Sequence, residues 1–504
     1  MLLGIFCSLL GGLMLIMSYS EGYTWCTFIC LIPLFHFLSR PVKAISKIIS
    51  IFTFLLLWNL YNYLFIIEFL NSIIGAFSPL VILPLVLLQA IPFLPLILYF
   101  RFKYQIFCSL WIIIEYAILH SAINTPFSNL GIVASNYPLL FQWMQFTGVL
   151  GSSLWILLCN VLCLWLIKSM SLLKQKQISP LPPIVYILLL FTPCFYSAIS
   201  LYHPNTSNDH TRRKVQVLSF NSSELQDSIQ TKAIRLLKET ECKNHTHYVV
   251  MPEFTTSLNN TKVSDAQFTG HLKSLLTSYK SNITFVYSAS QESWGKQQVL
   301  AIALDYQGIQ QRNKELLVPF AEYEPIAIKR FFEYKDIRYP TNYISKKKNP
   351  TFKSLYDTYH VSICYEALFE NFLKRKLQET NGLLFVLAKE PFDGNMHYIN
   401  LVRLISKTQA ITFQKPLIRS SWGGLSLVIN SKGKLLAQSA NETGSIVTYI
   451  QTNIKPSLYT RSKFNVLFFL AILSFLAFTI AEFKIKHWPK ISCIRINKHI
   501  ETKL

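Results

Sequence analysis

The segment Tyr359-His-Val-Ser-Ile-Cys364-Tyr-Glu366 has the composition of a buried strand, and it ends at a cysteine that is followed by an acid. Short apolar runs that are rich in β-branched and aromatic residues are typical of strands. A cysteine at a strand end lies at the rim of a sheet, where a nearby lysine favours the reactive thiolate. This segment therefore predicts a β-sheet with a candidate nucleophile, Cys364, at its edge.

Similar strand patterns occur on both sides of this segment, and helical spacing separates several of them. Such an alternation predicts a layered α/β domain whose functional groups lie at strand ends. We expect strands at 214–221, 248–253, 283–288, 299–305, 359–364, 383–387 and 426–429, and helices at 223–241 and 265–279.

Two further segments of this domain carry ionisable side chains at the ends of apolar runs. Glu253 follows the strand pattern Tyr248-Val-Val-Met-Pro, where partial burial would raise its pKa toward that of a general base. Lys314 begins an apolar, proline-containing loop that also holds Glu322. Taken alone, each group is compatible with an ordinary structural role, because many strands end in an acid and many lysines lie on surfaces.

The remainder of the chain is far more apolar. Residues 1–201 and a stretch near the C-terminus contain apolar runs of membrane-spanning length, whereas residues 202–462 have the composition of a globular domain. We expect a membrane domain at 1–201 with seven transmembrane helices, a soluble domain at 202–462, and a final helix with a basic tail at 463–504. The expected spans are 1–18, 23–39, 48–67, 73–100, 105–120, 147–167, 183–201 and 464–481.

Basic residues in the loops predict an orientation for these spans. Clusters of Lys and Arg follow the second, fourth, sixth and eighth spans, and all four clusters fall on one side of the membrane. The positive-inside rule assigns that side to the cytoplasm. Both termini are then cytoplasmic, and the soluble domain faces the opposite compartment. A cleaved signal peptide is the alternative for the first span, and it leaves this sidedness unchanged.

The order and spacing of Glu253, Lys314 and Cys364 resemble the catalytic triad of the nitrilase (carbon–nitrogen hydrolase) superfamily. The loop from Lys314 to Glu322 and the strand end Ile363-Cys364-Tyr365-Glu366 are similar to those of the apolipoprotein N-acyltransferase family. The predicted order of seven spans, one extracytoplasmic domain and a final span also resembles that family. The resemblance implies that the soluble domain is a nitrilase-like α-β-β-α sandwich.

Weaker similarities accompany clear departures from the family pattern. The segments Pro126-Phe-Ser-Asn-Leu-Gly131 and Lys415-Pro-Leu-Ile-Arg419 resemble family motifs. In contrast, Ala321 stands where the family usually has Gly. Residues 388–394 replace its Asn-Asp-x-Trp-Phe-Gly segment, and Ser421-Trp-Gly-Gly424 replaces Thr-Asn-Asn-Gly. Because the triad is kept, the resemblance implies the same basic chemistry, and the departures concern the acyl pocket and the substrate range.

The resemblance implies a two-step acyl transfer and supplies the roles of the triad. Cys364, as a thiolate, attacks an acyl ester of a membrane phospholipid and forms a thioester. The free α-amino group of a diacylglyceryl-cysteine at the N-terminus of an apolipoprotein then accepts the acyl group as an amide. Glu253 is the implied base. Lys314 is implied to stabilise the oxyanion, together with a backbone N–H near Tyr365.

The resemblance also implies supporting residues, partners and a location. Glu322 is expected to orient Lys314 or to assist proton transfer, while Tyr365 and Glu366 are expected to support the site. The implied partners are a phospholipid acyl donor and a diacylated apolipoprotein. The implied location is the bacterial inner (cytoplasmic) membrane, as a multi-pass protein with its catalytic domain on the periplasmic side. No metal or organic cofactor is expected, because the thiol supplies the nucleophile.

Other functions remain as alternatives. A membrane-anchored amidase would use the same triad and let water take the acyl group. A transporter or scaffold would explain the spans and the acidic Glu115 in the fifth span, but not the triad. The formal charge of +22 fits attraction to anionic lipid head groups, and no nucleic-acid-binding module is recognisable in the sequence. We therefore expect no nucleic-acid partner.

Overall fold

The computed structural model describes residues 1–74, 78–96, 104–121, 127–174, 181–202, 212–239, 246–257, 263–279, 283–293, 296–319, 322, 351–380, 382–390, 395–452, 456–463 and 465–487. Parts of the expected fourth span, at 75–77 and 97–100, lie outside these residues. The loop after Glu322 up to residue 350 lies outside them as well, and so do residues 391–394 of the segment that departs from the family pattern.

The N-terminal part of the chain is helical, because its long runs of Leu, Ile and Phe leave few polar positions. The helices are α1 (Leu2–Met17), α2 (Ile32–Leu38), α3 (Ala44–Ile74), α4 (Ser78–Ala90), α5 (Tyr104–His120), α6 (Val149–Lys174) and α7 (Leu181–Tyr202). Short helical turns occur between them at Glu21–Phe28, Ile91–Phe93, Leu130–Asn136, Pro138–Phe141 and Met144–Thr147.

Two stretches of these helices, Ala44–Ile67 and Val149–Ser169, are long and apolar enough to cross a membrane, judged by length and composition within the described residues. Shorter apolar helices accompany them at Leu2–Met17, Ile82–Phe93, Tyr104–His120 and Val466–Ile480. Many large apolar side chains on these helices are exposed, among them Phe6, Leu60, Ile167 and Leu473. An apolar outer surface of this extent is what lipid-facing helices present.

Glu115 on α5 lies inside the helical region, and its side chain is almost fully buried. Its Oε1 atom accepts hydrogen bonds from the Leu130 backbone N–H at 3.0 Å and from the Ser153 hydroxyl at 3.1 Å. These partners come from the 130–136 turn and from α6. Glu115 therefore ties three parts of the helical region together in its interior.

Residues 212–451 contain thirteen described strands in two sheets. They are β1 (Arg212–Ser219), β2 (Thr246–Val250), β3 (Thr256–Ser257), β4 (Thr284–Ser293), β5 (Lys296–Asp305), β6 (Gly308–Asn313), β7 (Phe352–Lys353), β8 (Thr358–Ile363), β9 (Leu384–Lys389), β10 (Leu417–Trp422), β11 (Leu425–Ile429), β12 (Leu435–Ala440) and β13 (Gly444–Gln451). The first sheet has the order β13-β1-β2-β4-β5-β6, with β3 paired to β4, and the second has the order β12-β11-β10-β9-β8-β7.

The two sheets pack face to face, and both faces of the central strands are buried. On β1, Val215 and Val217 point into the layer between the sheets, whereas Leu218 belongs to the cluster on the outer face. Val361 and Ile363 of β8 face the same inner layer from the second sheet. This alternation follows from the two-residue period of a strand, and burial on both faces is typical of parallel strands covered by helices.

Helices cover the outer faces of both sheets. In chain order they are α8 (Gln226–Glu239), α9 (Val263–Tyr279), α10 (Glu370–Leu377) and α11 (Met396–Phe413). The first two pack on the first sheet, and the last two pack on the second. The short helix Leu458–Arg461 and the apolar helix α12 (Val466–His487) complete the described chain. The α-β-β-α sandwich expected from the family resemblance is therefore confirmed.

The second sheet's helices also contact the helical region. Helix α11 packs against the turn Leu130–Asn136, and the Ser135 hydroxyl donates to the Leu404 carbonyl at 3.0 Å. One apolar cluster continues from the apolar helices into the helices over the second sheet. The apolar helices therefore pack against the helices that cover the sheet of Cys364.

The strand predictions agree with the structure where the apolar runs are continuous. All seven expected strands are present, with shifts at their ends. The two-residue strands β3 and β7 were not predicted, and neither were β6, β10, β12 and β13. Strand β10 reads Leu417-Ile-Arg-Ser-Ser-Trp422, and its charged and hydroxyl side chains hide a segment that is fully buried. Strands β12 and β13 are partly exposed and pair at the sheet edges, where the sequence pattern is weak.

Candidate active site

The sheet topology brings several strand ends to one edge of the sandwich. Strands β8, β9 and β10 are parallel to one another, and β2 is parallel to β1 and β4. Strand β6 is reached from β4 by two antiparallel steps, so it runs in the direction of β4 and ends at the same edge. The residues that follow β2, β6 and β8 are therefore neighbours, although they are far apart in sequence.

The residues at these ends form a buried cluster of one ammonium and two carboxylates. The Lys314 Nζ atom donates to Glu253 Oε1 at 2.9 Å and to Glu322 Oε1 at 2.6 Å. Lys314 and Glu253 are each no more than 2% exposed. The backbone N–H of Val318 donates to the second oxygen of Glu322 at 2.8 Å, which fixes the loop around the lysine. The structure thus brings together three of the residues that the sequence singled out.

Burial and charge set the protonation of this cluster. Burial raises the pKa of Glu253, the Lys314 charge opposes that rise, and the Glu322 charge adds to it. Burial alone would lower the pKa of Lys314, but the Glu253 and Glu322 carboxylates outweigh it and raise this pKa well above its ordinary value. The site therefore holds a permanent cation beside a carboxylate that takes up protons more readily than usual.

Cys364 lies directly after β8, at the beginning of a short 3-10 helix, and it is partly exposed. Its φ of 47° is in the left-handed region, which costs a non-glycine residue about 1–3 kcal/mol. Its Sγ atom lies 3.6 Å from the Lys389 carbonyl oxygen, while the Lys389 backbone N–H donates to Glu253 Oε2 at 3.1 Å. One residue at the end of β9 thus contacts both Cys364 and Glu253.

Cys364 is held as a thiol in the resting site. Burial raises its pKa well above its ordinary value, and the negative charge of Glu253 raises it further. The Lys314 charge acts in the opposite direction but does not outweigh these effects. As expected, the Lys314 charge favours the thiolate by lowering the pKa of Cys364. This lowering is smaller than the rise caused by burial and by the Glu253 charge. A base is needed to ionise the sulfur, and Glu253 is the neighbouring group with a raised pKa.

Glu366 lies behind the cysteine and joins the two loops that carry Lys314 and Cys364. Its Oε2 atom accepts the Ile363 backbone N–H at 2.8 Å and also binds the Arg312 guanidinium. Its Oε1 atom accepts the Glu315 backbone N–H at 2.5 Å. Glu366 is fully buried, so these contacts anchor the backbone on both sides of the site. The neighbouring Tyr365 packs its ring edge-on against Phe369.

A second buried ion pair was not predicted from the sequence. The Arg419 guanidinium on β10 and the Tyr398 hydroxyl both donate to Glu390 Oε1, and the Ser421 hydroxyl donates to Glu390 Oε2 at 2.7 Å. The charges of Glu390 and Arg419 act on the pKa of Cys364 in opposite directions. The family-like motif from Lys415 to Arg419 pointed to Arg419. Its partner Glu390 gave no such signal, because it lies in the 388–394 segment that departs from the family pattern.

Gly424 lies against this ion pair. A Cβ atom on Gly424 would overlap Glu390 Oε2, so a side chain at this position would displace the carboxylate. In the part of the chain that the structure describes, no group of three or more His, Cys, Asp or Glu side chains is placed to hold a metal ion.

Comparisons with known proteins find similarity in the N-terminal part of the chain. Residues 10–162 match the family model of the apolipoprotein N-acyltransferase N-terminal domain. A curated relative, the apolipoprotein N-acyltransferase of Haemophilus influenzae, is 25% identical over 151 residues. This alignment covers 27% of the chain and 27% of the length of that relative.

Solved structures are similar to about half of the chain. Nit3 of Saccharomyces cerevisiae, a member of branch 10 of the nitrilase superfamily, is 17% identical with a TM-score of 0.36, covering 48% of this chain and 90% of its own. A mutant of the amidase from Nesterenkonia sp. AN1 is 14% identical with a TM-score of 0.36, covering 51% of this chain and 95% of its own.

The family model covers the turn Leu130–Asn136 and the beginning of α6, which lie next to the helices that cover the catalytic layer. The match agrees with the family resemblance seen in the Lys314 and Cys364 segments of the sequence. The family model and the curated relative together support the resemblance of this chain to the apolipoprotein N-acyltransferase family.

Proposed function

We propose that the chain transfers an acyl group from a membrane phospholipid to the N-terminal diacylglyceryl-cysteine of apolipoproteins, through a thioester on Cys364. The observation that carries this proposal is the ammonium of Lys314 between the carboxylates of Glu253 and Glu322, at the sheet edge where Cys364 ends β8. The family model matched by residues 10–162 and the similarity to a curated apolipoprotein N-acyltransferase support lipoprotein N-acylation.

In the first step Glu253 removes the proton from the Cys364 thiol. Each oxygen of Glu253 accepts one of the described hydrogen bonds, so a lone pair remains on the carboxylate for this proton. The thiolate attacks the ester carbonyl, and the C–S bond forms as the carbonyl oxygen becomes an oxyanion. Collapse of this intermediate breaks the C–O bond, and the departing lysophospholipid alkoxide takes the proton back from Glu253.

In the second step the free α-amino group of the acceptor attacks the thioester. Glu253 removes a proton from the attacking nitrogen, an amide bond forms, and the C–S bond breaks. The cysteine leaves as a thiolate and takes the proton from Glu253, which restores the resting site. The same carboxylate therefore serves both half-reactions, because each begins with proton removal and ends with proton return.

The net charge of the cluster of Lys314, Glu253 and Glu322 suits these two half-reactions. One ammonium between two carboxylates gives a net charge of −1, which favours proton uptake by Glu253. Lys314 keeps its own proton, since its pKa is raised, and it can therefore stabilise the oxyanion in both steps. Removing one such donor typically costs about 10²–10³-fold in rate. A backbone N–H near Tyr365 would be the second donor, and Glu322 would hold Lys314 in place.

We also propose the membrane arrangement that the loop charges predict. Residues 1–201 form the multi-span domain, 202–462 form the periplasmic catalytic domain, and 463–504 form the last span and the cytoplasmic tail. The exposed apolar surfaces and the apolar helices of the described chain support this arrangement. Extracting an acyl chain into water costs about 0.8 kcal/mol per methylene, and a site packed against lipid-facing helices avoids that cost.

Transfer of a labelled acyl group tests this function. Purified protein in liposomes with a labelled phospholipid and a synthetic diacylglyceryl-cysteine peptide should form labelled triacylated peptide, and Cys364→Ala should form none. The competing function is a membrane-anchored amidase with the same residues. Ammonia release from small amides, with no labelled peptide, would support that competitor and contradict the transferase.

A further inference from the structure

Lys389 is the last residue of β9, and its backbone is part of the candidate active site. Its N–H donates to Glu253 Oε2 at 3.1 Å, and its carbonyl oxygen lies 3.6 Å from Cys364 Sγ. The side chain of Lys389 therefore begins between the proposed base and the proposed nucleophile. It lies in the 388–394 segment, where the chain departs from the pattern of its family.

Two aromatic rings hold the Lys389 ammonium. Its Nζ atom lies 3.8 Å from the centroid of the Trp422 ring and 5.5 Å from that of Phe254. Trp422 ends β10, and Phe254 follows Glu253 with a φ of 58°, so both rings come from the edge that holds the site. Among the described residues no carboxylate lies within ion-pair distance of this ammonium, in contrast to Lys314.

A cation in this setting keeps its hydrogen-bond donors available. The ring faces attract the charge but accept no conventional hydrogen bond, and the Lys389 side chain is exposed. Partial burial lowers the pKa of Lys389, and the Glu253 charge only partly opposes this, so a further anion beside the ammonium would favour its charged form. A lysine with free donors at the mouth of a site is a binding group for a compact anion such as phosphate.

The position of Lys389 fits the phosphate of a glycerophospholipid. In such a lipid only a short glycerol unit separates the phosphate from each acyl ester. An ester carbon placed at Cys364 Sγ therefore leaves the phosphate within reach of a long side chain that begins at the adjacent strand end. A head group without its own ammonium would leave the phosphate charge entirely to Lys389, so the strongest interaction is expected with an anionic lipid.

We propose that Lys389, positioned by Trp422 and Phe254, binds the phosphate of the acyl donor and makes the chain selective for anionic glycerophospholipids. This inference rests on the proposed function, because it assigns the donor of the first half-reaction. It makes Lys389 a specificity residue, which acts on the bound donor and leaves the proton transfers to Glu253.

Formation of the Cys364 thioester from matched donors provides the first test. Dioleoylphosphatidylglycerol and dioleoylglycerol carry the same esters, but only the first has a phosphate. Lys389→Gln should lower single-turnover acylation by dioleoylphosphatidylglycerol about 10- to 100-fold and leave acylation by dioleoylglycerol nearly unchanged. Lys389→Arg should retain most of the preference. Dioleoylphosphatidylethanolamine, whose ammonium competes for the phosphate, should show a smaller loss.

Lys353→Gln is the matched control, since it removes the same charge from an exposed lysine of the same domain. Lys353 pairs with Thr358 at the beginning of β8, whereas Cys364 follows the end of that strand. This control should keep the donor preference. Equal losses with both donors in Lys389→Gln, with no rescue by Lys389→Arg, would show a role in proton transfer and overturn the proposal. An unchanged preference would overturn it as well.

Lipid retention separates this inference from the proposed function. Native mass spectrometry of Cys364→Ala, which cannot form the thioester, should show tighter retention of dioleoylphosphatidylglycerol than of dioleoylglycerol. The double variant Cys364→Ala with Lys389→Gln should lose that difference. If Cys364→Ala and the double variant retain dioleoylphosphatidylglycerol equally well, the proposed phosphate site is contradicted. This conclusion does not depend on whether the wild-type protein forms a thioester. A wild-type protein without any Cys364 adduct contradicts the proposed function instead.

Discussion

Two buried cations at the end of β6, Arg312 and Lys314, lie in different surroundings. Lys314 contacts two carboxylates, those of Glu253 and Glu322. Arg312 binds Glu366, whose oxygens also accept backbone N–H groups from both loops of the site. The first cluster has more negative than positive charge and few donors, whereas the carboxylate of the second is saturated with donors.

The difference separates a reactive carboxylate from a structural one. Glu253 accepts one hydrogen bond at each oxygen and keeps room for a proton. Glu366 accepts from Arg312 and from the backbone of Ile363, Glu315 and Leu316, so its lone pairs are used in holding the chain. The number and type of donors around a buried acid therefore indicate whether it serves as a base or as an anchor.

The largest expected effect comes from removing the base. Glu253→Gln keeps the shape of the side chain but cannot take the Cys364 proton, so the rate of thioester formation should fall about 10²- to 10⁴-fold. Rapid quenching followed by intact-protein mass spectrometry measures this rate. The midpoint of thermal unfolding in detergent should change little. An unchanged acylation rate would show that another group ionises the thiol.

The next largest effect is a loss of stability in the second cluster. Arg312→Met leaves the Glu366 charge buried without its cation, which should cost about 3–5 kcal/mol in the free energy of unfolding. Thermal unfolding in detergent should show a lower midpoint. The double variant Arg312→Met with Glu366→Gln should recover much of the loss, because the unpaired charge is gone. An unchanged unfolding midpoint in Arg312→Met would show that the buried charge of Glu366 does not need Arg312 as its partner.

A smaller loss is expected at the third ion pair, between Glu390 and Arg419. Gly424→Ala places a methyl group on the Glu390 carboxylate and should cost about 1–3 kcal/mol in stability. Gly270 in α9 has no heavy atom within 4 Å of its added Cβ, so Gly270→Ala is a matched control that should stabilise by about 0.4–1 kcal/mol. Denaturant unfolding measures both changes. Equal effects would show that the Glu390 contact does not constrain Gly424.

The smallest expected effect is a shift in pH dependence. Acylation needs Glu253 as a carboxylate, so its rate falls as pH falls through the pKa of Glu253. The Glu322 charge raises that pKa. Removing this charge with Glu322→Gln should lower the pKa of Glu253 and move the acid limb of the pH–rate profile to lower pH. A shift to higher pH would mean that Glu322 acts mainly by orienting Lys314.

The sequence alone predicted the positions of the site residues that follow apolar strands. Glu253 and Cys364 end continuous apolar runs, so their place at the rim of a sheet followed from periodicity. The family resemblance supplied Lys314, Glu322 and Glu366 as partners. Their roles remain predictions, although the structure places Glu322 against Lys314 and Glu366 behind the cysteine.

The remaining features depend on tertiary structure. The contacts between Glu390 and Arg419, and those between Lys389 and Trp422, join strands that are far apart in sequence. The net rise in the pKa of Cys364 also depends on burial that no local pattern shows. Strand β10 has Arg419 and two serines inside a fully buried segment, and its polar pattern conceals a core strand because tertiary contacts satisfy those side chains.

The most direct test of the central claim is the mass of the protein after incubation with phospholipid vesicles in the absence of an acceptor. We predict one added acyl group on Cys364, labile to hydroxylamine, that is discharged as an amide when the diacylglyceryl-cysteine peptide is added. The adduct should form at least about 10²-fold more slowly in Glu253→Gln. An adduct that persists in Cys364→Ala, or one that only water discharges, would contradict the account.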